Sequence, residues 1–305
     1  MTDTKFTDHF RADPHPSVPT LESLGFEGKA LSDLQKSLNS TVGVTFFAGT
    51  TGSGKTSSLE SAVSYTLRAA LERQDHVRIL RVGIPFSRRD FFLGLRRDPD
   101  IVIFEDIRDG EIAEEVIKTA MSGIQVFAEI HASDAYHIPS RLKALGVAMG
   151  DLDCVRPTYV RQALSSSVCK HCSLGLSDLS GSEEAFWEVE QLQRINRIIS
   201  DGLKPNLRFR PRVGCKHCVQ GLAERTAVAE VVVPDEHMSS LLSEGRLEDA
   251  VTYHRSNGGR TALEYGVSKA LRGILDLRDL ESRLDRLDFM PGLDHGAQVT
   301  CDPLL

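Results

Sequence analysis

A glycine-rich segment has the residue types that bind phosphate groups. Gly49, Gly54, Lys55 and Thr56 meet the pattern G-x-x-x-x-G-K-[ST]. Glycines let the backbone curl so that successive N–H groups face one anion, and a following helix adds its positive N-terminal end. The lysine then reaches the β- and γ-phosphates, and the hydroxyl ligates Mg²⁺, so the segment predicts a site for ATP and Mg²⁺. The predicted nucleotide-binding residues are Gly49, Thr50, Thr51, Gly52, Ser53, Gly54, Lys55, Thr56 and Ser57.

Acidic residues follow a second apolar run. Glu105 and Asp106 come directly after the Ile-Val-Ile-Phe run at 101–104. A nucleotide site needs such an acidic group at the end of a neighbouring strand, to hold the magnesium shell or to orient the attacking water. Because consecutive residues of a strand point to opposite faces, we expect only one of the two to face the nucleotide. The alternative is a pair of solvated charges that open a loop.

A histidine closes the next apolar run. His131 follows the predicted strand at 124–130, where a sheet would present it near the phosphates. Two interpretations are left open from the residues alone. One is a phosphate-sensing side chain, and the other is a packed or capping histidine.

Four of the six cysteines form two pairs. Cys169 and Cys172 make one C-K-H-C sequence, and Cys215 and Cys218 make the other. Each pair can place two thiolates on one tetrahedral ion, so together they predict a structural four-sulfur Zn²⁺ site without an open position. The histidine inside each pair is expected to point away. Unmetallated thiols and redox chemistry are the alternatives.

The elements that must position these residues alternate between strand and helix. This alternation predicts a largely parallel sheet covered by helices on both faces. The predicted strands are 41–48, 76–82, 101–104 and 124–130, and the predicted helices are 57–71, 89–95, 111–121 and 136–145. Beyond about residue 165, a helix around 183–199, a strand at 227–233 and amphipathic helices over 240–287 are predicted.

A chain of 305 residues has room for more than one compact domain. The predicted division is a flexible lead-in (1–20), an ATPase core (21–165), a zinc-binding insert with a closing strand (166–235), a helical C-terminal region (236–290) and a loose tail (291–305).

Net charge and hydropathy argue against some classes of protein. A net charge of -7 argues against a protein that mainly binds nucleic acid. No apolar run approaches the ~18–20 residues that span a bilayer, and the first residues lack a secretory signal. We therefore expect a cytoplasmic protein, peripheral to a membrane only through partners.

Four motifs in series resemble one family. GTTGSGKTSSL, LRRDPDIVIFEDIRD, EIHASDAYHIPSRLKALGV and the two cysteine pairs resemble the assembly ATPases of type II secretion and type IV pili, with their conjugative-plasmid relatives. The resemblance covers roughly residues 21–290. It implies an α/β, RecA-like P-loop NTPase core that works as a ring, usually a homohexamer. ATP hydrolysis in such a ring moves an inner-membrane platform protein, and no direct nucleic-acid contact is expected.

The resemblance also implies roles for single residues. Asp106 falls on the acidic residue of the family's Gly-Glu-Ile-Arg-Asp strand end, and Arg108 on its arginine. His131 matches the family's histidine box, and the four cysteines match its zinc site. The candidate catalytic residues are Asp106, Glu105, His131 and Arg108.

The chain departs from the family pattern at three points. Glu105 stands where the family has glycine, and Asp106 is one methylene shorter than the family's glutamate. The acidic Glu-Asp-Pro box is missing, and ILRVGIPFSRRD at 79–90 takes its place. We also expect the family's large N-terminal domain, which supplies arginines, to be absent. The arginines at 88, 89, 96 and 97 provide local positive charge or form a solvated basic face.

These departures leave other functions open. The leading hypothesis is a motor ATPase of a pilus, secretion or conjugation machine. A hydrolysis-deficient member that binds nucleotide as a ring or regulatory subunit is the first alternative, and a small-molecule P-loop kinase is the second. A retraction motor is less favoured, because those proteins generally lack the cysteine pairs.

Overall fold

The computed structural model describes residues 5–9 (backbone only), 18–179, 189–291 and 298–304. The strands are β1 (Lys5–His9), β2 (Gly43–Ala48), β3 (Val77–Val82), β4 (Ile101–Ile107), β5 (Gln125–Ile130), β6 (Pro157–Val168) and β7 (Leu222–Val232). The helices are α1 (Leu21–Leu24), α2 (Gly28–Leu38), α3 (Lys55–Glu72), α4 (Arg88–Leu95), α5 (Gly110–Met121), α6 (Ile138–Ala144), α7 (Met149–Asp153), α8 (Leu176–Leu179), α9 (Val189–Ile198), α10 (Glu236–Ser243), α11 (Leu247–Ser256), α12 (Ala262–Leu271) and α13 (Leu277–Arg283).

The strands form one sheet in the order β1-β3-β4-β5-β2-β6-β7. Neighbours from β3 to β6 are parallel, as predicted. Every residue of β2 and β5 is buried, which explains their continuous apolar runs, since a parallel sheet is covered on both faces. The predicted strands and helices before residue 150 are all present, and their ends agree with the prediction to within three residues.

The order of the central strands decides what meets at the sheet edge. β5 lies between β2, which leads into the glycine-rich loop, and β4, which ends in the acidic residues. All three strands are parallel, so their carboxyl ends lie at the same edge. Ligands of open parallel sheets bind at this edge.

One strand lies in the range predicted to be a flexible lead-in. Lys5–His9 pairs antiparallel with β3, with Lys5 opposite Arg81 and His9 opposite Val77. The edge of β3 offers unpaired backbone groups, and these favour the addition of another strand.

The chain divides into two compact units. The first comprises Met1–Gln162 and Glu230–Gly259, and its apolar core is built around the sheet. Residues 230–259 belong to this unit, whereas the sequence analysis divided them between the insert and the C-terminal region.

The second unit comprises Ala163–Ala229 and Arg260–Leu305. Its core includes Ile195, Phe209 and Val267, all fully buried. Within the predicted helix at 183–199, α9 covers Val189–Ile198, and residues 183–188 lie outside the described part of the chain. In the predicted loose tail, Val299 forms a parallel bridge with Ile199 and is buried.

Candidate functional site

The glycine-rich loop joins β2 to α3 at the carboxyl edge of the sheet. Three of its glycines have positive φ: Gly49 at 150°, Gly52 at 79° and Gly54 at 85°. The Ser53 N–H closes a turn on the Thr50 carbonyl at 3.1 Å. Since α3 starts at Lys55 and runs for 18 residues, its positive end lies at the loop. The loop therefore has the strand–turn–helix context that phosphate binding requires.

Lys55 is folded back onto the loop. Its Nζ donates to the carbonyl oxygens of Gly49 at 3.0 Å and Thr50 at 3.2 Å, and the residue is 7% exposed. The ammonium group thus lies inside the curl of the backbone, where a phosphate group would meet it.

A cavity of about 470 Å³ opens beside the loop, a size typical of small-ligand sites. It brings together the predicted residues Thr51, Gly52, Lys55, Thr56, Glu105, Asp106, Arg108 and His131. It is also lined by Leu59, Glu60, Arg81, Ile84, Ile103 and Glu129, which the sequence analysis did not single out.

Both Glu105 and Asp106 line the cavity, and the expectation that only one of them faces the nucleotide stays a prediction. The pairing of β4 with β5 shifts register between Phe104 and Ile107, and this irregularity breaks the alternation of side chains. The two carboxylates differ in burial. Asp106 has a side chain only 11% exposed, whereas Glu105 is exposed to solvent.

Asp106 has one engaged and one unengaged oxygen. Arg108 Nε donates to Oδ2 at 2.6 Å, while Oδ1 is buried with no hydrogen-bond partner among the described residues. His131 Nε2 lies 4.0 Å from Oδ1. A buried oxygen without a donor fits a group that brings donors of its own, such as the water shell of Mg²⁺. The residues at this position therefore fit a magnesium–nucleotide complex.

Of the four arginines considered above, two lie in α4 and two follow its end, and all four are exposed. Arg88 donates to Glu115 at 2.6 Å, and this hydrogen bond is the main reason that its pKa is raised. The arginines that line the cavity are instead Arg108 and Arg81, which lies on β3. Arg81 donates to both oxygens of Glu60 at 2.6 and 2.7 Å.

Glu129 on β5 is the acidic residue that the sequence analysis missed. The Thr56 hydroxyl donates to Glu129 Oε1 at 2.6 Å, and Glu129 is 9% exposed. Burial raises its pKa, while the Thr56 hydrogen bond and the charge of Lys55 act in the opposite direction. A single acidic residue inside the apolar strand QVFAEI was the available signal, because a buried carboxylate requires a partner.

Two polar side chains support the loops of the site. Gln162 Nε2 donates to the Ser53 carbonyl at 2.8 Å, and Glu230 Oε1 accepts from the Ala135 N–H at 2.7 Å. Both Gln162 and Glu230 are buried. They hold the glycine-rich loop against β6 and the segment after His131 against β7.

The second unit brings the four predicted cysteines together. Their Sγ atoms all lie within 4.8 Å of one another. Cys169–Cys215, Cys172–Cys218 and Cys215–Cys218 are separated by 3.8, 3.6 and 3.8 Å. The edge of a ZnS₄ tetrahedron with Zn–S of about 2.3 Å is about 3.8 Å, whereas a disulfide needs about 2.05 Å. The cluster is compatible with Zn²⁺.

Two thiols of this cluster, those of Cys172 and Cys218, have shifted pKa values. The backbone N–H of Cys215 donates to Cys218 Sγ at 3.2 Å and lowers the pKa of Cys218 to about 7. Desolvation raises the pKa of Cys172 to about 12. The inner histidines His171 and His217 stack with their ring centroids 4.2 Å apart, and the described cluster of potential ligands consists of the four cysteines.

None of the helices in the described part of the chain is both long enough and apolar enough to cross a bilayer.

The sequence is similar to those of known proteins over most of its length. The family described as "Type II/IV secretion system protein" matches residues 11–282. The type IV pilus assembly ATPase PilB of Thermus thermophilus is 27% identical over 87% of this chain and 30% of its own length. PilB of Acinetobacter baylyi is 27% identical over 88% of this chain and 47% of its own. The HofB homologue of Escherichia coli is 29% identical over 85% of this chain and 56% of its own length. The chain therefore spans about half or less of these relatives.

Solved structures share the fold. The DotB ATPase of Legionella pneumophila superposes with a TM-score of 0.55 at 17% identity, over 87% of this chain and 64% of DotB. The pilus retraction motor PilT with bound ADP superposes with a TM-score of 0.58 at 15% identity, over 88% of this chain and 67% of PilT. The predicted RecA-like P-loop fold is confirmed. With the family match covering most of its length, the chain belongs to the type II/IV secretion system protein family.

Proposed function

We propose that this protein is an ATP-binding and ATP-hydrolysing motor subunit of a type IV pilus, type II secretion or conjugative thin-pilus assembly machine. The observation that carries the proposal is the meeting of Lys55, Thr56 and Asp106 at one cavity. A cation for the phosphates, a hydroxyl for Mg²⁺ and a buried carboxylate with an unengaged oxygen are the groups that nucleotide hydrolysis requires.

The residues divide the work of hydrolysis. Water attacks the γ-phosphorus, the bond from that phosphorus to the β–γ bridging oxygen breaks, and ADP, phosphate and one proton leave. Bound Mg²⁺ neutralises charge on the phosphate oxygens. Lys55 and the N-terminal end of α3 hold the phosphates, and Asp106 orients the water. His131, on the Oδ1 side of Asp106, responds to the γ-phosphate, and Glu105 and Arg108 lie at the rim of the same cavity.

The machine is proposed from the relatives. Proteins named type IV pilus assembly ATPase and type II secretion system protein E match this chain over more than four fifths of its length. By analogy, the subunit forms a homohexameric ring in the cytoplasm and acts on an inner-membrane platform protein. The four cysteines would hold a structural Zn²⁺ that stabilises the second unit, since a complete set of thiolates leaves no position for a substrate.

A second candidate is a family member that binds nucleotide without efficient turnover. Asp106 is shorter than the family's glutamate, and one of its oxygens is engaged by Arg108. Turnover decides between the two. The test is phosphate release from ATP by the purified chain, with and without Mg²⁺, over a range of protein concentrations. A rate per subunit that rises with concentration supports a ring motor. Nucleotide binding without phosphate release at any concentration supports the second candidate, and phosphate transfer to an added metabolite contradicts both.

A further inference from the structure

A buried carboxylate on the central strand of the site has no role in the chemistry described so far. Glu129 is 9% exposed, and its neighbours along β5, Ala128 and Ile130, are completely buried. A carboxylate is costly at such a position unless a hydrogen bond or an opposite charge compensates it. Its surroundings therefore indicate what it is for.

The hydroxyl of Thr56 compensates Glu129. A hydroxyl has one proton and two lone pairs. Because Thr56 gives its proton to Glu129 Oε1 at 2.6 Å, both lone pairs remain available on the cavity side. A hydrogen bond to a charged acceptor also makes the hydroxyl oxygen a better electron donor. Glu129 thus prepares Thr56 to act as a metal ligand.

Glu129 also contributes negative charge to the middle of the site. Glu129 is in register with Phe47 on β2, just before the glycine-rich loop, and its charge acts on both Lys55 and Asp106. A carboxylate from β5 therefore stands between the phosphate loop and the acidic end of β4.

We propose that Glu129 is a positioning residue of the magnesium site, which orients the Thr56 hydroxyl and adds a buried carboxylate to that of Asp106. This inference rests on the proposed ATP site. Glu129 then contributes to the part of the nucleotide affinity that depends on Mg²⁺.

The test compares nucleotide affinity with and without Mg²⁺. A fluorescent ATP analogue is titrated into the wild type, Glu129→Ala, Glu129→Gln and Thr56→Val, once with Mg²⁺ and once with EDTA. Mg²⁺ increases the affinity of the wild type for the nucleotide by a certain factor. We expect this factor to be about 10–100-fold smaller in Glu129→Ala, the usual effect of removing a partner of a metal ligand. With EDTA its affinity is expected to stay the same or rise, because a negative charge near the phosphates is gone. Glu129→Gln is expected to lose less, in the same direction.

A matched control separates this role from folding. Glu115→Gln removes another buried carboxylate, which accepts from Arg88 at 2.6 Å outside the cavity. It is expected to lower thermal stability without changing the effect of Mg²⁺. If Glu129→Ala fails to fold, Glu129→Gln, which keeps the shape of the side chain, decides the question.

Four outcomes are informative. A loss confined to Mg²⁺-dependent binding, no larger in a Thr56→Val/Glu129→Ala double variant than in either single variant, supports the proposal. An unchanged gain from Mg²⁺ in both Glu129 variants overturns it. An equal loss with Mg²⁺ and with EDTA also overturns it, since Glu129 would then only support the loop. A wild type that binds no nucleotide refutes the proposed function itself.

Discussion

Arg108 and Asp106 form an asymmetric pair in which Arg108 Nε donates to Oδ2 at 2.6 Å, while Oδ1 is buried and accepts no hydrogen bond from the described part of the chain. The guanidinium side chain is 63% exposed, so the pair lies at the mouth of the cavity. This arrangement fixes the rotation of the carboxylate and leaves one oxygen for the reaction.

The first prediction follows from that pair. Asp106→Asn should lower kcat for ATP hydrolysis by about 100-fold, because the group that orients water loses its charge, while the affinity for ATP changes little. Arg108→Ala should lower kcat less, since the carboxylate remains but can rotate. Steady-state kinetics with a separate binding titration measures both effects. Arg89→Ala, which removes an exposed arginine of α4, is the control, and full turnover by Asp106→Asn would exclude Asp106 from catalysis.

The second prediction contrasts two glycines of one loop. A Cβ at Gly49 would lie 2.5 Å from the Gln162 carbonyl oxygen and 2.5 Å from Ser53 Oγ, whereas a Cβ at Gly52 meets no atom within 4 Å. Gly49→Ala should therefore weaken ATP binding more than tenfold and lower the melting temperature. Gly52→Ala should cost only the left-handed backbone strain, about 1–2 kcal/mol. Binding titrations and thermal unfolding of the two variants test this, and equal effects would contradict the close packing at Gly49.

The sequence predicted most of the parallel sheet and the phosphate loop, because local signals specify both. The apolar runs of β2, β4 and β5 and the loop pattern lie in short, continuous stretches. Glu129 and Arg81 could not be assigned in the same way. Their roles depend on which strands are neighbours, and strand order is a property of the tertiary fold.

The presence of both Glu105 and Asp106 at the cavity has a similar origin. Strict alternation along β4 would turn one of them away, but an irregularity between Phe104 and Ile107 brings both to the cavity. Nothing in the run IVIFED marks that irregularity. The cysteine cluster was predictable because the spacing within each C-x-x-C pair already restricts its geometry.

The third prediction concerns the cysteine cluster. The reduced protein should contain about one Zn²⁺ per chain, and Cys215→Ser should lower the zinc content below half an equivalent and lower the melting temperature. Cys154→Ser and Cys301→Ser change exposed cysteines outside the cluster and serve as controls. Elemental analysis and thermal unfolding, with and without a chelator, measure the effect. Full stability of a zinc-free wild type would contradict a structural metal.

The fourth prediction concerns pH. The Tyr253 hydroxyl donates to Asp235 Oδ2 at 2.6 Å and is the main cause of the lowered pKa of Asp235, which also caps α10 through the Met238 N–H. Because the pKa is lower in the folded state, the stabilisation is complete above the unfolded pKa of about 3.9 and disappears as the pH falls through the folded value.

Tyr253→Phe should therefore lower the free energy of unfolding by about 0.5–1 kcal/mol at pH 7, a small effect because Asp235 is exposed. The difference from wild type should shrink as the pH falls below about 4. Urea unfolding of both proteins from pH 7 to the lowest pH at which the wild type stays folded measures this. A difference that does not depend on pH would mean that Tyr253 acts only through packing.

The most direct test of the account is the rate of phosphate release from Mg²⁺–ATP by the wild type and by Lys55→Ala. Lys55 lies within the loop, 3.0 Å from the Gly49 carbonyl oxygen, and removal of its ammonium group leaves the phosphates without their main cation. The account predicts Mg²⁺-dependent release by the wild type, with a rate per subunit that rises with protein concentration, and loss of that release in Lys55→Ala. Equal rates in the two proteins, or no release by the wild type at any concentration, would contradict it.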